Sequence, residues 1–165
     1  MAAMPIRFAA EADFAAIAAI TNHYIATTAI HFGYEPVTAE DLAGPWRGSR
    51  FPWLVSVDDA DDARVLGHAK AGTWRDRAAY RLTTELGLYM AHDARGRGLG
   101  TALYSELIAE VTRRGFHSAI AGITLPNDAS LALHRRLGFV SVGVVRDAGW
   151  KLERWNDVEF FQKLL

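Results

Sequence analysis

The chain has 165 residues, half of them hydrophobic and 22% charged, with a formal net charge of −1 and no cysteine. That length fits a single domain, residues 1–165, with room for a sizeable core, and the balanced charge gives no reason to expect a nucleic-acid partner. Without cysteine there can be no disulfide, thiolate metal site or cysteine nucleophile. In chain order, Ile6-Arg7-Phe8 reads as a short strand. Residues 13–26 read as a helix whose buried stripe is Phe14, Ile17, Ala18, Ile20, Tyr24 and Ile25. Thr38-Ala39-Glu40-Asp41 approximates a capping box and marks a short helix. Trp53-Leu54-Val55-Ser56-Val57 is a strand, Asp58-Asp59-Ala60-Asp61-Asp62 a solvated acidic turn, and residues 65–74 the partner strand of a hairpin. Residues 85–90 alternate as a half-buried strand does. Leu99, Leu103, Leu107 and Val111 then recur at helical spacing, with Gly115 as a stop. A strand over 117–124 follows, then a helix that Pro126-Asn127-Asp128 can cap and that ends at Leu137-Gly138. Strands over 140–145 and 157–164 close the chain. Hairpins followed by alternating helix and strand predict an α/β fold with a mixed central sheet.

No apolar run approaches the roughly 20 residues of a membrane span, so no membrane partner is expected. The segment Met1-Ala2-Ala3-Met4-Pro5-Ile6-Arg7-Phe8 lacks a basic stretch followed by an apolar one. No secretory signal is therefore expected, and the cytoplasm is the expected location.

The stretch Arg95-Gly96-Arg97-Gly98-Leu99-Gly100, between a strand and an amphipathic helix, concentrates the functional signal. A glycine-rich loop opening a helix leaves backbone N–H groups free to surround an anion, and the helix dipole favours negative charge at the same end. Arg95 and Arg97 add two cations, so the loop suits a phosphorylated cofactor. A P-loop would need a lysine after the last glycine, and none follows Gly100. A dinucleotide fingerprint has a different glycine spacing and belongs to the first strand of its unit, whereas this loop lies past mid-chain.

Arg95, Gly98 and Gly100 instead match Arg-x-x-Gly-x-Gly, the pyrophosphate loop of the GNAT N-acetyltransferases, and the order of elements is similar to that superfamily along nearly the whole chain. Four stretches resemble the phosphinothricin and methionine sulfoximine N-acetyltransferase group within it: Tyr80-Arg81-Leu82-Thr83-Thr84-Glu85, the 95–100 loop, Ala121-Gly122-Ile123-Thr124-Leu125-Pro126-Asn127-Asp128 with Leu133-His134-Arg135-Arg136-Leu137-Gly138-Phe139, and Trp155-Asn156-Asp157-Val158. Leu82-Thr83-Thr84, Leu86-Gly87-Leu88 and residues 33–48 depart from the pattern of these relatives, which makes the cofactor easier to assign than the acceptor.

The resemblance implies a GNAT fold, its sheet splayed at an acetyl-CoA site and flanked by helices. It also implies an acetyl-CoA-dependent transfer to a small amine of the methionine sulfoximine, methionine sulfone or phosphinothricin type, with no metal and with a homodimer as the usual assembly. Arg95, Gly96, Arg97, Gly98, Leu99 and Gly100 would hold the pyrophosphate. The backbone of Leu88, Tyr89 and Met90 would pair with the pantetheine arm, and Gly87 would mark the bulge that opens the sheet. Asn127 matches a cofactor-contacting position, although it also reads as an ordinary helix cap. Glu85 stands where the family places its general base; the alternative is a strand carboxylate paired with Arg81 or Lys70. His134 stands where many members carry a tyrosine acid. It would act as an imidazolium acid, as a neutral hydrogen-bond partner, or as a plain helix-surface histidine, and Tyr104 is a further candidate acid. Trp74 and Tyr80 could wall the acceptor pocket, and Arg75 and Arg81 could pair with acidic groups of the substrate. The aromatic segment 27–46 is a candidate interface. A peptide acceptor, or an acetyl-CoA-binding module without turnover, are the alternatives.

Overall fold

The computed structural model describes residues 5–96 and 98–165; the expected N-terminal features at 1–4 and the cation Arg97 lie outside the described residues. Seven strands form one sheet: β1 (Ile6–Phe8), β2 (Trp53–Val57), β3 (Val65–Thr73), β4 (Thr83–Met90), β5 (Ser118–Thr124), β6 (Val140–Lys151) and β7 (Arg154–Leu164), in the order β1-β2-β3-β4-β5-β7-β6. Four helices accompany them: α1 (Phe14–Thr27), α2 (Ala39–Trp46), α3 (Leu99–Arg113) and α4 (Asp128–Arg136). Among the described residues, no helix is long and apolar enough to cross a membrane.

Alternation along the strands sends successive side chains to opposite faces, and a different helical stripe covers each face. Phe14, Ile17, Ile20 and Tyr24 of α1 pack on Trp53, Val55 and Val57, while Leu103, Tyr104, Leu107 and Val111 of α3 pack on Leu54, Ala69, Ala71 and Leu86. Burying each such large side chain stabilises the fold by about 1.5–3 kcal/mol, which outweighs intrinsic propensity in holding these helices. The box at Thr38 forms: the Asp41 amide donates to the Thr38 hydroxyl and the Thr38 amide to the Asp41 carboxylate, at 3.1 and 2.7 Å.

Six neighbouring pairs exist in the sheet, and β4 with β5 is the parallel one. It holds for three residues, Thr83↔Ser118 to Glu85↔Ile120. Beyond Glu85 the two strands part, and residues 86–90 have no strand on that edge. The bulge expected at Gly87 is absent, because β3 and β4 keep one continuous register from Thr73↔Thr84 to Gly67↔Met90. The opening arises on the β5 side alone.

The last hairpin is longer than its sequence suggests. Residues 146–149 break the alternation, and the structure accommodates them as a register shift between Val145 and Gly149, with Asp147 at φ 48°. Pairing then resumes through Trp150↔Trp155. The Asn156 amide closes the turn by donating to the carbonyls of Gly149, Lys151 and Arg154 at 3.2, 3.1 and 3.0 Å.

Candidate functional site

The gap between β4 and β5 is a cleft of about 860 Å³, lined on one side by the 95–100 loop and α3, on the other by the faces of β3 and β4, and at its base by α4. Gly96 and Gly98 both take φ +77°, a left-handed conformation that strains any residue with a Cβ, and the space where a Cβ would stand is open at each. Both line the cleft, as do Leu99, Gly100 and Thr101 in the first turn of α3. Gly100 serves differently: a Cβ there would come 3.4 Å from Leu88 Cδ2 and 3.5 Å from Met90 Cγ, so glycine lets the first turn of α3 lie close on β4.

Arg95, Gly96, Gly98, Leu99, Gly100, Leu88, Tyr89, Met90 and Asn127 all line this cleft. The Asn127 side chain also accepts from the Ser130 amide at 3.2 Å, so it caps α4 while facing the cavity. Arg95 is steadied by Tyr24, a residue that the sequence showed only as part of a buried stripe. Arg95 Nη2 donates to the Tyr24 hydroxyl at 3.0 Å, and that hydroxyl donates to the Met90 carbonyl at 2.8 Å. A further cation, Arg136, lines the same region and donates to Thr101 Oγ1 at 2.6 Å.

At the base, His134 and Tyr104 meet. His134 is buried and boxed in by Tyr104, Phe139 and Phe161. Its Nδ1 lies 2.8 Å from the Ser130 carbonyl and its Nε2 lies 3.0 Å from the Tyr104 hydroxyl. A carbonyl can only accept, so Nδ1 carries the proton, and the Tyr104 O–H donates to the bare Nε2. Burial lowers the His134 pKa, partly offset by the Ser130 bond, and burial raises that of Tyr104. The pair is therefore a neutral imidazole and a protonated phenol, and His134 is no surface residue.

Glu85 lines the opposite wall, reached by solvent through the mouth of the cleft. Loss of hydration raises its pKa, and the Lys70 charge opposes that rise. In register, Gly72 stands opposite Glu85, Lys70 opposite Gly87 and His68 opposite Tyr89, so these six share one face. Of these, His68 is buried between Trp53, at 5.8 Å, and Tyr89, at 5.4 Å, with burial holding its pKa at about 3 and that of Tyr89 at about 12.

Trp74, Arg75, Tyr80 and Arg81 are placed elsewhere. They follow β3 on a rim loop and are not among the residues lining the cleft. The Trp74 ring meets Phe160, and Arg75 lies over that ring at 5.0 Å. Lys70, which the sequence suggested only as an ion-pair partner of Glu85, lines the cleft instead. A single lysine within the otherwise uncharged run 65–73 was the available signal. Among the described residues, no group of three histidine or acidic side chains is placed to hold a metal ion.

A sequence model of the acetyltransferase (GNAT) family matches residues 17–139. The chain is 41% identical to a phosphinothricin N-acetyltransferase of Streptomyces viridochromogenes over 160 residues, covering 96% of this chain and 86% of the relative. It is 39% identical to an L-methionine sulfoximine/L-methionine sulfone acetyltransferase of Pseudomonas aeruginosa, over 95% of this chain and 92% of the relative. Among solved structures, YncA from Salmonella typhimurium with its cofactor acetyl-CoA is similar at TM-score 0.93 and 36% identity, with 99% of this chain and 95% of that one covered.

Proposed function

The chain belongs to the acetyltransferase (GNAT) family and is an N-acetyltransferase, and from that premise we propose that it transfers the acetyl group of acetyl-CoA directly to the amine of a small amino-acid-like acceptor. Methionine sulfoximine, methionine sulfone and phosphinothricin are the acceptors to try first, since the relatives named for them match nearly full length. The observation that carries the reading is the meeting, in one cleft, of an unpaired strand edge, a left-handed glycine loop opening a helix, and a carboxylate of raised pKa.

The residues present fit acetyl-CoA. The amides after Gly98, with the positive end of α3 and Arg95, suit a pyrophosphate, and the β4 edge at residues 86–90 suits the amide-bearing pantetheine arm. Acetyl-CoA supplies the activated acyl group. Glu85 takes one proton from the acceptor's ammonium, which frees the nitrogen lone pair for attack. As the C–N bond forms and the C–S bond breaks, the nitrogen sheds a second proton to water at the mouth of the cleft, and the departing sulfur gains one from a hydroxyl that water then reprotonates. The Tyr104 hydroxyl lines the cleft and is that donor: its single hydrogen, held at rest by His134 Nε2, turns from that nitrogen to the sulfur for the transfer. His134 thus positions the donor through its neutral Nε2 in this scheme. With no cysteine in the chain, attack within a ternary complex needs no covalent enzyme intermediate of the thiol kind.

A homodimer forms through the outer strand β6. This edge strand exposes Val140, Val142, Val144 and Val145, with Trp150, Leu152 and Trp155 beside them, and an uncovered apolar edge of that length invites a partner. The aromatic segment adjoins it, for the Tyr34 hydroxyl donates to the Trp150 carbonyl and Phe32 packs on Gly149. Sedimentation of Val144→Glu tests this: a monomer is expected, and an unchanged dimer would assign the contact elsewhere.

The test of the reaction is CoA release from acetyl-CoA, followed with a thiol reagent, with and without each acceptor. The absent cysteines leave the protein itself silent. Amine-dependent release supports the reading; release that ignores these amines, or none while acetyl-CoA still binds, overturns the acceptor class.

A further inference from the structure

We propose that Lys70 receives the α-carboxylate of the acceptor while Glu85 receives its ammonium, so that the enzyme selects free α-amino acids. The inference rests on the amino-acid acetyltransferase reading above and adds the group that recognises the acceptor.

Four positions make a rectangle on one face of β3 and β4. Lys70 stands opposite Gly87, and Gly72 stands opposite Glu85. The charged pair therefore occupies one diagonal, about 7–8 Å apart along the backbone and within reach of long side chains. The other diagonal carries no side chain. A Cβ at Gly72 would meet nothing within 4 Å, and one at Gly87 would stand 3.8 Å from Lys70 Cγ. Gly72 leaves open floor beside Glu85, while the Lys70 stem and the Tyr89 ring lie against Gly87, and both glycines line the cleft.

Lys70 is half-buried in this wall, and burial lowers its pKa while Glu85 opposes the change. Among the described residues, no carboxylate lies within 4.0 Å of its nitrogen. The ammonium rests instead against Trp53, 4.9 Å from the ring centroid. A cation stripped of part of its water and given only an aromatic face is short of a counter-charge. His31 supplies no anion either: burial first, then the charges of Lys70 and Lys151, lower its pKa and favour the neutral ring. An incoming carboxylate would satisfy Lys70, and the amine and carboxylate of an α-amino acid sit on one carbon, short enough to bridge the two side chains. A peptide N-terminus carries no carboxylate on that carbon, and a peptidyl lysine has none near its amine.

The experiment compares methionine sulfone with its α-carboxamide as acceptors, by kcat/KM for CoA release, in the wild type, Lys70→Met, Lys70→Gln and Lys70→Arg. A charge-assisted pair predicts that the wild type favours the free acid about 10- to 100-fold. In Lys70→Met and Lys70→Gln that preference should collapse to within about threefold, through a higher KM for the acid with the amide little changed; Lys70→Arg should restore most of it. Acetyl-CoA affinity, measured by calorimetry on each variant, confirms that the cleft is folded. An unchanged acid-to-amide ratio in folded Lys70→Met or Lys70→Gln overturns the proposal, and so does an equal loss on both acceptors. Absence of release with either acceptor in the wild type overturns the amino-acid reading itself, and this inference with it.

Discussion

The two walls of the cleft are built in different materials. The loop wall works through backbone: two left-handed glycines, a third that lets α3 lie on β4, the first amides of α3, and the unpaired edge of residues 86–90. The opposite wall works through side chains, with Glu85 and Lys70 projecting from a strand face and Tyr104 with His134 at the base. In the proposed reaction the backbone wall would recognise what every acyl-CoA shares and tolerate change in its side chains. The side-chain wall would set which amine is accepted and could be altered one residue at a time.

That contrast is open to direct attack. The largest effect is expected from Gly98→Val, where a β-branched residue is forced to φ +77° in the middle of the loop. Acetyl-CoA affinity, by calorimetry, should fall about 100-fold or more with the fold retained; normal affinity would undo the loop assignment. Next, Tyr104→Phe removes the hydroxyl that His134 holds. We expect kcat to drop about 10- to 100-fold, in the range of lost general acid catalysis, with acetyl-CoA affinity within about threefold of wild type. A loss of affinity without a loss of kcat would move Tyr104 from chemistry to packing.

The pH profile should separate the walls further. As the proposed base Glu85 would have to be deprotonated to act, so kcat/KM should fall on the acid side, with its limb shifted upward because burial raises this pKa. The charged and titratable groups around Glu85 are Lys70, which lowers its pKa, and Tyr89 and Tyr104, both of which hold their protons. Lys70→Met should therefore move the limb to higher pH. A limb that stays in place would mean that Glu85 does not carry it.

The smallest effect on activity, and one on stability, comes from histidines behind the walls. His68, held at about 3, and His134 have folded pKa values below their unfolded ones. Their contribution is thus complete above the unfolded value near 6.5 and is lost as pH falls toward the folded values. For His68 the loss is on the order of a few kcal/mol. Chemical denaturation should show stability declining from pH 6.5 to 4.5, with a shallower slope in His68→Gln; equal slopes would remove His68 from the account.

Much of the loop wall was legible in the sequence because glycine at a left-handed turn and a helix stripe are local requirements. Arg95, Gly98 and Gly100 mark themselves. The other wall was less legible, because it depends on register and long-range contact. Tyr104 and His134 are thirty residues apart and meet only once α3 and α4 pack on one core. Lys70 reaches the floor beside Glu85 because β3 and β4 pair without a slip. Trp74, Arg75, Tyr80 and Arg81 flank these strands in sequence, yet the rim loop carries them away from the cleft lining. The long β6–β7 hairpin was obscured by residues 146–149, where an irregular register hides the alternation.

The division between the walls is tested most directly by Glu85→Gln, with acetyl-CoA affinity and amine-dependent CoA release measured on the same preparation. The account predicts affinity within about threefold of wild type and turnover near neutral pH reduced about 100-fold or more, the size expected for a lost general base. Undiminished turnover would contradict it, and so would a loss of affinity that matched the loss of rate.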